Sequence, residues 1–244
     1  MKRLLLLGLG AFLLVILIVL PARWIAPLLP ATVHCAAWHG SVWRGQCDGL
    51  TVSTPQPQAL DQLRWKLRPL SLLRLTVSAD VEMAAPAGTA EGRVDLRPGG
   101  ALALRAVAAR GRFDQAFPGV LPRGWQGQLE TRALALQLDG RVLRELGGEI
   151  FLRDLADVRG QGLGSYHLAF PASTRAPYTG ALQDSGGPLE VRAQLVVQAD
   201  RSWTLDGTVR PRDAAAQGFE RQLEVLGPRD ASGRHRLSLA GTFR

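Results

Sequence analysis

The sequence predicts a mostly β chain. An N-terminal apolar helix is followed by a curved antiparallel β meander, or sandwich-like sheet, with one short C-terminal amphipathic helix. Three observations predict it. The run Leu4–Leu20 is uninterrupted and apolar, and Pro21 closes it. Behind it, segment after segment alternates apolar and polar residues with period two, the pattern of a strand with one wet face. Only one stretch, Asp213 to Leu226, carries a helical stripe: Asp213 is placed to cap it, and Phe219, Leu223 and Leu226 share a face.

The apolar run of 17 residues reaches about 25 Å as a helix, near the short limit for crossing a bilayer. Two fates compete for it. A cleaved signal peptide wants small residues at the last and third-last positions before the cut, and a cut after Ala22 puts Leu20 at the third-last. Thr32-Val33-His34 before Cys35 makes no lipobox. The retained anchor is the better fit. Lys2 and Arg3 precede the run and Arg23 alone follows closely, which leaves the N-terminus in the cytoplasm and sends the remainder across the membrane. Trp24 suits an interfacial ring. The expected organisation is a cytoplasmic stub at 1–3, an anchor at 4–20, a linker at 21–32 and a periplasmic β-rich domain at 33–244. The pattern lapses at 113–124, a candidate sub-boundary.

After the linker, Val33 to Cys47 reads as a hairpin. A turn centred on Ser41 puts Cys35 opposite Cys47 and Trp38 opposite Arg44. In an oxidising compartment such a cysteine pair defaults to a disulfide; two free structural thiols are the alternative. Leu63, Trp65 and Leu67 then face away from Arg64, Lys66 and Arg68. Pro69 to Leu73 interrupts as a bulge, a short helical turn or a corner. Leu75, Val77, Ala79, Val81 and Met83 form the next apolar face. Val94 and Leu96 follow, then Leu102 and Leu104 after a turn at Pro98-Gly99-Gly100. Strands resume at Trp125–Leu138, Glu149–Arg153 and Leu163–Phe170, and residues Pro171–Pro188 read as a long polar loop. Val191 to Val197 and Trp203 to Val209 alternate most clearly, joined by a turn at Asp200-Arg201. A turn from Asp230 to Gly233 leads to a last strand with Leu237, Leu239 and Phe243 inward.

The net charge is +8, and two of the 29 cationic residues are lysine. The arginines are scattered one per polar position, with Ala, Gly and Pro also abundant. That composition fits a high-GC genome better than phosphate recognition, and no basic helix or aromatic platform supports nucleic-acid binding. His34, His39, His167 and His235 lack partners at metal-ligand spacing. Ser41, Ser165 and Ser185 lack a nucleophile elbow, Gly162-Leu163-Gly164-Ser165 lacks the Lys of a phosphate loop, and acidic pairs such as Glu145 with Glu149 sit in polar turns. No cofactor is expected and the chain is not read as an enzyme. The tryptophans read as core packing, with an apolar groove for lipid or a partner strand as the functional alternative.

Three motifs carry a resemblance. Gly40-Ser41-Val42-Trp43-Arg44-Gly45 follows the apolar helix. Trp65-Lys66-Leu67-Arg68-Pro69 precedes Leu72-Leu73 and a strand. Leu223, Leu226-Gly227, Asp230, Gly233 and Gly241 close the chain. In this order and at these spacings the sequence resembles the type II secretion system protein N family over almost its whole length. The middle is carried by pattern alone, and the cysteines lie outside the motifs. The resemblance implies a single-pass inner-membrane protein with a periplasmic domain. It implies an accessory, non-enzymatic part of the machine that exports folded proteins, contacting the inner-membrane platform and the outer-membrane secretin. The Gly-Ser-Val-Trp-x-Gly element also looks like one in AsmA-type periplasmic proteins, which implies the alternative of a lipid-binding or lipid-transfer module.

Overall fold

The structure is a computed structural model. It describes residues 15–16, 19–28, 30, 32–53, 58–112, 124–212, 219, 223 and 227–243. The expected anchor therefore lies outside the described residues except for Val15, Ile16, Val19 and Leu20. So do the stretch 113–123 and most of the expected C-terminal helix. Among the described residues no helix is long and apolar enough to cross a membrane.

The chain is mostly β. Thirteen strands among the described residues form one antiparallel sheet whose order is the chain order. They are β1 (Val33–Gly40), β2 (Arg44–Val52), β3 (Gln58–Leu67), β4 (Val77–Ala85), β5 (Gly88–Arg97), β6 (Ala101–Arg112), β7 (Gln126–Asp139), β8 (Val142–Ala156), β9 (Gly162–Ser173), β10 (Tyr178–Asp184), β11 (Leu189–Val197), β12 (Ser202–Pro211) and β13 (His235–Thr242). Among the described residues, short turns join β4 to β5, β5 to β6 and the successive strands from β7 to β12, where Gly, Pro and Asp residues lie between the alternating runs. Two compact units divide between Pro86 and Ala87.

In the first unit, β1 to β4 pair in order, and two 3-10 helices flank them at Ala22–Leu28 and Pro69–Arg74. The hairpin register differs from the expectation. Gly40 pairs with Gly45 and Trp38 with Cys47, while Cys35 pairs with Leu50. The turn is shifted because Gly40 takes a left-handed φ of 81° and ends β1 there. Pro69–Arg74 resolves as a 3-10 turn. Pro69 supplies its first-turn proline, and Arg68 before it is extended, as a residue preceding proline must be. On β4 the expected inward face is inverted at its start: Ser78 is buried, while Leu75 and Val77 are exposed. Ser78 belongs inside because its N–H bonds the Ser71 hydroxyl and its carbonyl accepts from Arg68 N.

In the second unit, β5 to β13, strands β6 to β9 are long and bulged. Register shifts fall between Leu104 and Val107 of β6, Arg132 and Ala135 of β7, and Leu152 and Leu155 of β8. Each contains one non-glycine residue with left-handed backbone: Ala106, Ala133 and Asp154. An extra residue in a strand raises local twist and re-aims the side chains beyond it. Leu129, Glu130 and Thr131 are accordingly buried in succession, which no period-two reading anticipates.

Two strands were underestimated from sequence. The short strand at Glu149–Arg153 is the middle of the 15-residue β8. The expected loop Pro171–Pro188 contains β10, whose Tyr178, Gly180 and Leu182 alternate inward. Its Gly and Thr residues and the flanking prolines disguised it.

The apolar face of β8–β12 carries two core clusters. Leu155, Leu163, Leu189, Val191 and Val209 gather around Phe219 and Leu223. Leu143, Leu146, Phe170, Tyr178 and Val197 form the other, with Leu195 and Trp203 against it. The alternating residues of β11 run from one cluster to the other. At the second cluster Leu143 N donates to Ala199 O, and the Tyr178 hydroxyl donates to Leu143 O at 3.0 Å. The start of β8 is thereby fastened to the chain beyond β11, so the strands between them coil around their own apolar side chains. Leu237 of the last strand packs inward as expected; Leu239 and Phe243 remain half exposed.

Candidate functional site

The densest constellation in the first unit is built on the turn between β1 and β2. Ser41 closes the turn twice: its N–H donates to Arg44 O at 2.8 Å, and its Oγ accepts from Arg44 N at 3.2 Å. Gly40 cannot be replaced there without strain, because a Cβ would collide with the Arg44 carbonyl oxygen. Gly45 pairs with Trp65 on β3, and a Cβ at Gly45 would fall within the indole ring. The indole therefore lies flat over the glycine, the arrangement by which an aromatic ring covers a strand glycine. From there Trp65 Nε1–H donates to Val42 O at 2.9 Å. Trp38 meets the ring edge-on, with centroids 6.0 Å apart. Leu67 N donates to Trp43 O at 2.8 Å, which carries β3 up to Pro69.

The same turn grips the N-terminal segment. Val42 N donates to Leu20 O at 2.8 Å, and Pro21 bridges Ser41. Ala22 is fully buried. Gly40, Ser41, Val42, Trp43, Gly45, Trp65 and Leu67 are thus brought together, and the last residue of the apolar run is hydrogen-bonded to their centre. Cys35 and Cys47 are bonded, with Cα atoms 5.9 Å apart. They lie diagonally in the register rather than opposite, next to the left-handed Gly49. Nearby, Asp48 accepts from Gln46 Nε2 at 2.7 Å and Gln62 Nε2 at 3.2 Å, which holds its carboxyl below the usual range.

The closing motif belongs to the second unit. Leu226 lies outside the described residues. Asp230 Oδ1 accepts from Ser232 N, Ser232 Oγ and Arg234 N at 2.7–2.9 Å, the backbone N–H of Arg234 contributing most to a lowered carboxyl pKa. Gly233, left-handed at φ 75°, completes this turn. Gly241 pairs with Trp203, and a Cβ there would stand 2.7 Å from the ring. This repeats the Gly45–Trp65 device, and Gly180 under Phe170 makes a third case. Gly227 O meets His235 Nδ1 at 2.8 Å, and Arg229 Nε donates to His235 Nε2 at 3.2 Å. With one nitrogen accepting from Arg229, the other donates to the Gly227 carbonyl. Sequence reasoning passed over His235, because its partners are a backbone carbonyl and an arginine rather than ligands at a spacing.

A charge cluster also escaped the sequence. The buried Glu130 of β7 accepts Arg110 of β6 at 3.1 Å, Arg132 of its own strand at 2.8 Å and Arg153 of β8 at 2.9 Å. The Arg132 hydrogen bond leads in holding its carboxyl below the usual range. Arg132 also lies 4.7 Å over the Phe151 ring, which stacks on His167 at 4.3 Å. Glu190 of β11 is held ionised mainly by Arg210, and Asp184 at the end of β10 pairs with Arg212. Burial pushes the Tyr166 hydroxyl up to about 12 while it donates to Leu163 O. At neutral pH Glu130 and Glu190 are clamped anions and the Tyr166 and Tyr178 phenols neutral donors, so the geometry serves cross-strand locking. Among the described residues, no group of three or more His, Cys, Asp or Glu side chains is placed to hold a metal ion.

A functional reading must then rest on the motif turn and what it fastens. The model of the family "Type II secretion system (T2SS), protein N" matches residues 31–238, which contain the first two motifs and all of the third except Gly241. No curated protein and no solved structure is significantly similar to the chain. On the family match over most of its length, the chain belongs to the type II secretion system protein N family.

Proposed function

We propose that this chain is an accessory, non-enzymatic, single-pass inner-membrane component of the type II secretion system. Its N-terminus lies in the cytoplasm and its sheet in the periplasm, where it contacts the inner-membrane platform and the secretin. Family membership makes it a component of that system in the cell envelope. The observation that carries the finer reading is the grip of the motif turn on Leu20, Pro21 and Ala22. A signal peptide cut after Ala22 would remove the residues the turn holds. A retained anchor instead gives the sheet a fixed footing at the membrane, which an adaptor between two membrane assemblies needs.

The lipid-module alternative has less support. Phe219 and Leu223 cover the apolar face of β8–β12 at one cluster, and Tyr178 fills the other. The chain's own side chains thus occupy the face a lipid would use.

Deleting the gene should leave exoproteins in the periplasm, with secretion restored by the full chain. Normal secretion in the deletion strain would overturn the proposal. N-terminal sequencing of the membrane-extracted protein should begin at or near Met1; a mature chain beginning at Arg23 would overturn the anchor.

A further inference from the structure

The turn between β3 and β4 exposes apolar side chains without an evident reason in the fold. Leu70, Leu73 and Leu75 are 77%, 84% and 74% exposed, and Leu72 is 44% exposed. Single exposed leucines are ordinary, but four within six residues make a patch of the kind that marks an interaction surface. The segment is well held. The Ser71 hydroxyl donates to Arg68 O at 2.7 Å and accepts from Ser78 N, and Leu75 N and Thr76 N return to Leu72 O and Ser71 O. Arg68 is pinned by a bidentate pair with Asp80. Leu75 itself takes a left-handed φ of 52°, a costly conformation for a branched residue, and carries its side chain into solvent.

The position of this loop says what covers it. In an antiparallel meander the β1–β2 and β3–β4 turns share one end of the sheet, and the β2–β3 turn lies at the other. Leu20 O and Leu67 N bond the consecutive residues Val42 and Trp43. The end of the apolar run and the start of the loop are therefore about two strand spacings apart, roughly 10 Å. A run of 17 residues barely spans the hydrocarbon core, so Leu20 sits at its far edge. A loop that close to Leu20 is within reach of the headgroup layer. Exposed Trp24 stands in the segment leaving the run, as interfacial tryptophans do. Arg23, Arg44, Lys66 and Arg74 are exposed around this end, and residues 62–79 contain no acidic side chain.

We infer that Pro69–Leu75 is a second membrane contact. Its leucines enter the headgroup–acyl boundary of an anionic bilayer beside the anchor, and the surrounding cations meet the lipid phosphates. The anchor fixes where the first unit stands on the membrane, and this second point of attachment fixes its tilt. The inference rests on the anchor reading.

The test uses the full chain, disulfide intact, in vesicles of phosphatidylethanolamine and phosphatidylglycerol carrying a nitroxide high on the acyl chain. An environment-sensitive fluorophore is placed by Leu73→Cys, by Leu70→Cys, or by Ser53→Cys at the opposite end of the sheet. Blue-shifted emission at positions 70 and 73, quenched several-fold more than at 53, is expected. Co-flotation of the protein with equal, water-like emission at all three positions would overturn the inference alone. It would leave the loop to a protein partner. Failure to co-float would overturn the anchor and the inference with it.

Discussion

At the residue scale, one contact decides the fate of the first turn. Trp65 both covers Gly45 and donates to Val42 O, so it joins β3 to the turn that holds Leu20. Trp65→Phe keeps much of the ring and removes the donor, leaving a half-buried carbonyl unsatisfied. A loss of about 1–2 kcal/mol is expected in the denaturant unfolding of the detergent-solubilised protein. Gly45→Val should cost more, about 3 kcal/mol, because the indole must leave its place to admit the new side chain. If Gly45→Val unfolds at the wild-type midpoint, the ring is not seated on the glycine. The glycines and tryptophans of the motifs were legible in sequence as residues that matter. That they pair, glycine under ring, was not, because Gly45 and Trp65 are brought opposite only by the register of β2 and β3. The same holds for Gly241 and Trp203.

At the element scale, the first hairpin is stapled as well as hydrogen-bonded. The Cys35–Cys47 bond closes a loop with a sequence separation of 12. Chain-entropy arguments give such a loop about 3 kcal/mol. Replacing both cysteines with serine should lower the unfolding free energy by about that amount, and non-reducing peptide mapping of the wild type should recover the two cysteines in one joined fragment. Two alkylatable thiols in the exported protein would contradict the bond. The alternation of β3, β11 and β12 was plain in the sequence because these strands are regular. On β7 it held for Leu136 and Leu138, which pack against one cluster, and broke at Leu129–Thr131; bulges at Ala133 of β7 and Asp154 of β8 reset the phase. It failed at β10 because seven residues rich in Gly, Thr and Ala, preceded by a proline, look like loop. A turn centred on Ser41 would set the cysteines opposite each other; the hairpin is centred between Val42 and Trp43, with Gly40 paired to Gly45, so the structure bonds them diagonally.

At the scale of the whole molecule, acid should be the condition that loosens the sheet. Asp48, Glu130, Glu190, Asp200 and Asp230 occur from β2 to the final turn, and each is held below its ordinary value. The leading cause is a hydrogen bond in every case: from Gln46, Arg132, Arg210, Ser202 and the Arg234 backbone respectively. Between the lowered folded values and the ordinary 3.8 for Asp or 4.5 for Glu, the unfolded chain binds more protons than the folded one. Their contribution to stability is therefore complete above the ordinary values. It drains away as pH falls through the folded ones. The denaturant midpoint should hold steady from neutrality to about pH 5 and then fall. Glu130→Gln and Glu190→Gln should each lower the midpoint at pH 7 and shrink its acid dependence, because the amide cannot reproduce the charged bonds to the flanking arginines. Glu130 should show the larger effect, since it loses three guanidinium partners from three adjacent strands rather than two. A midpoint unchanged to pH 3 would mean that these carboxylates, though bonded, are no better placed in the fold than in the unfolded chain.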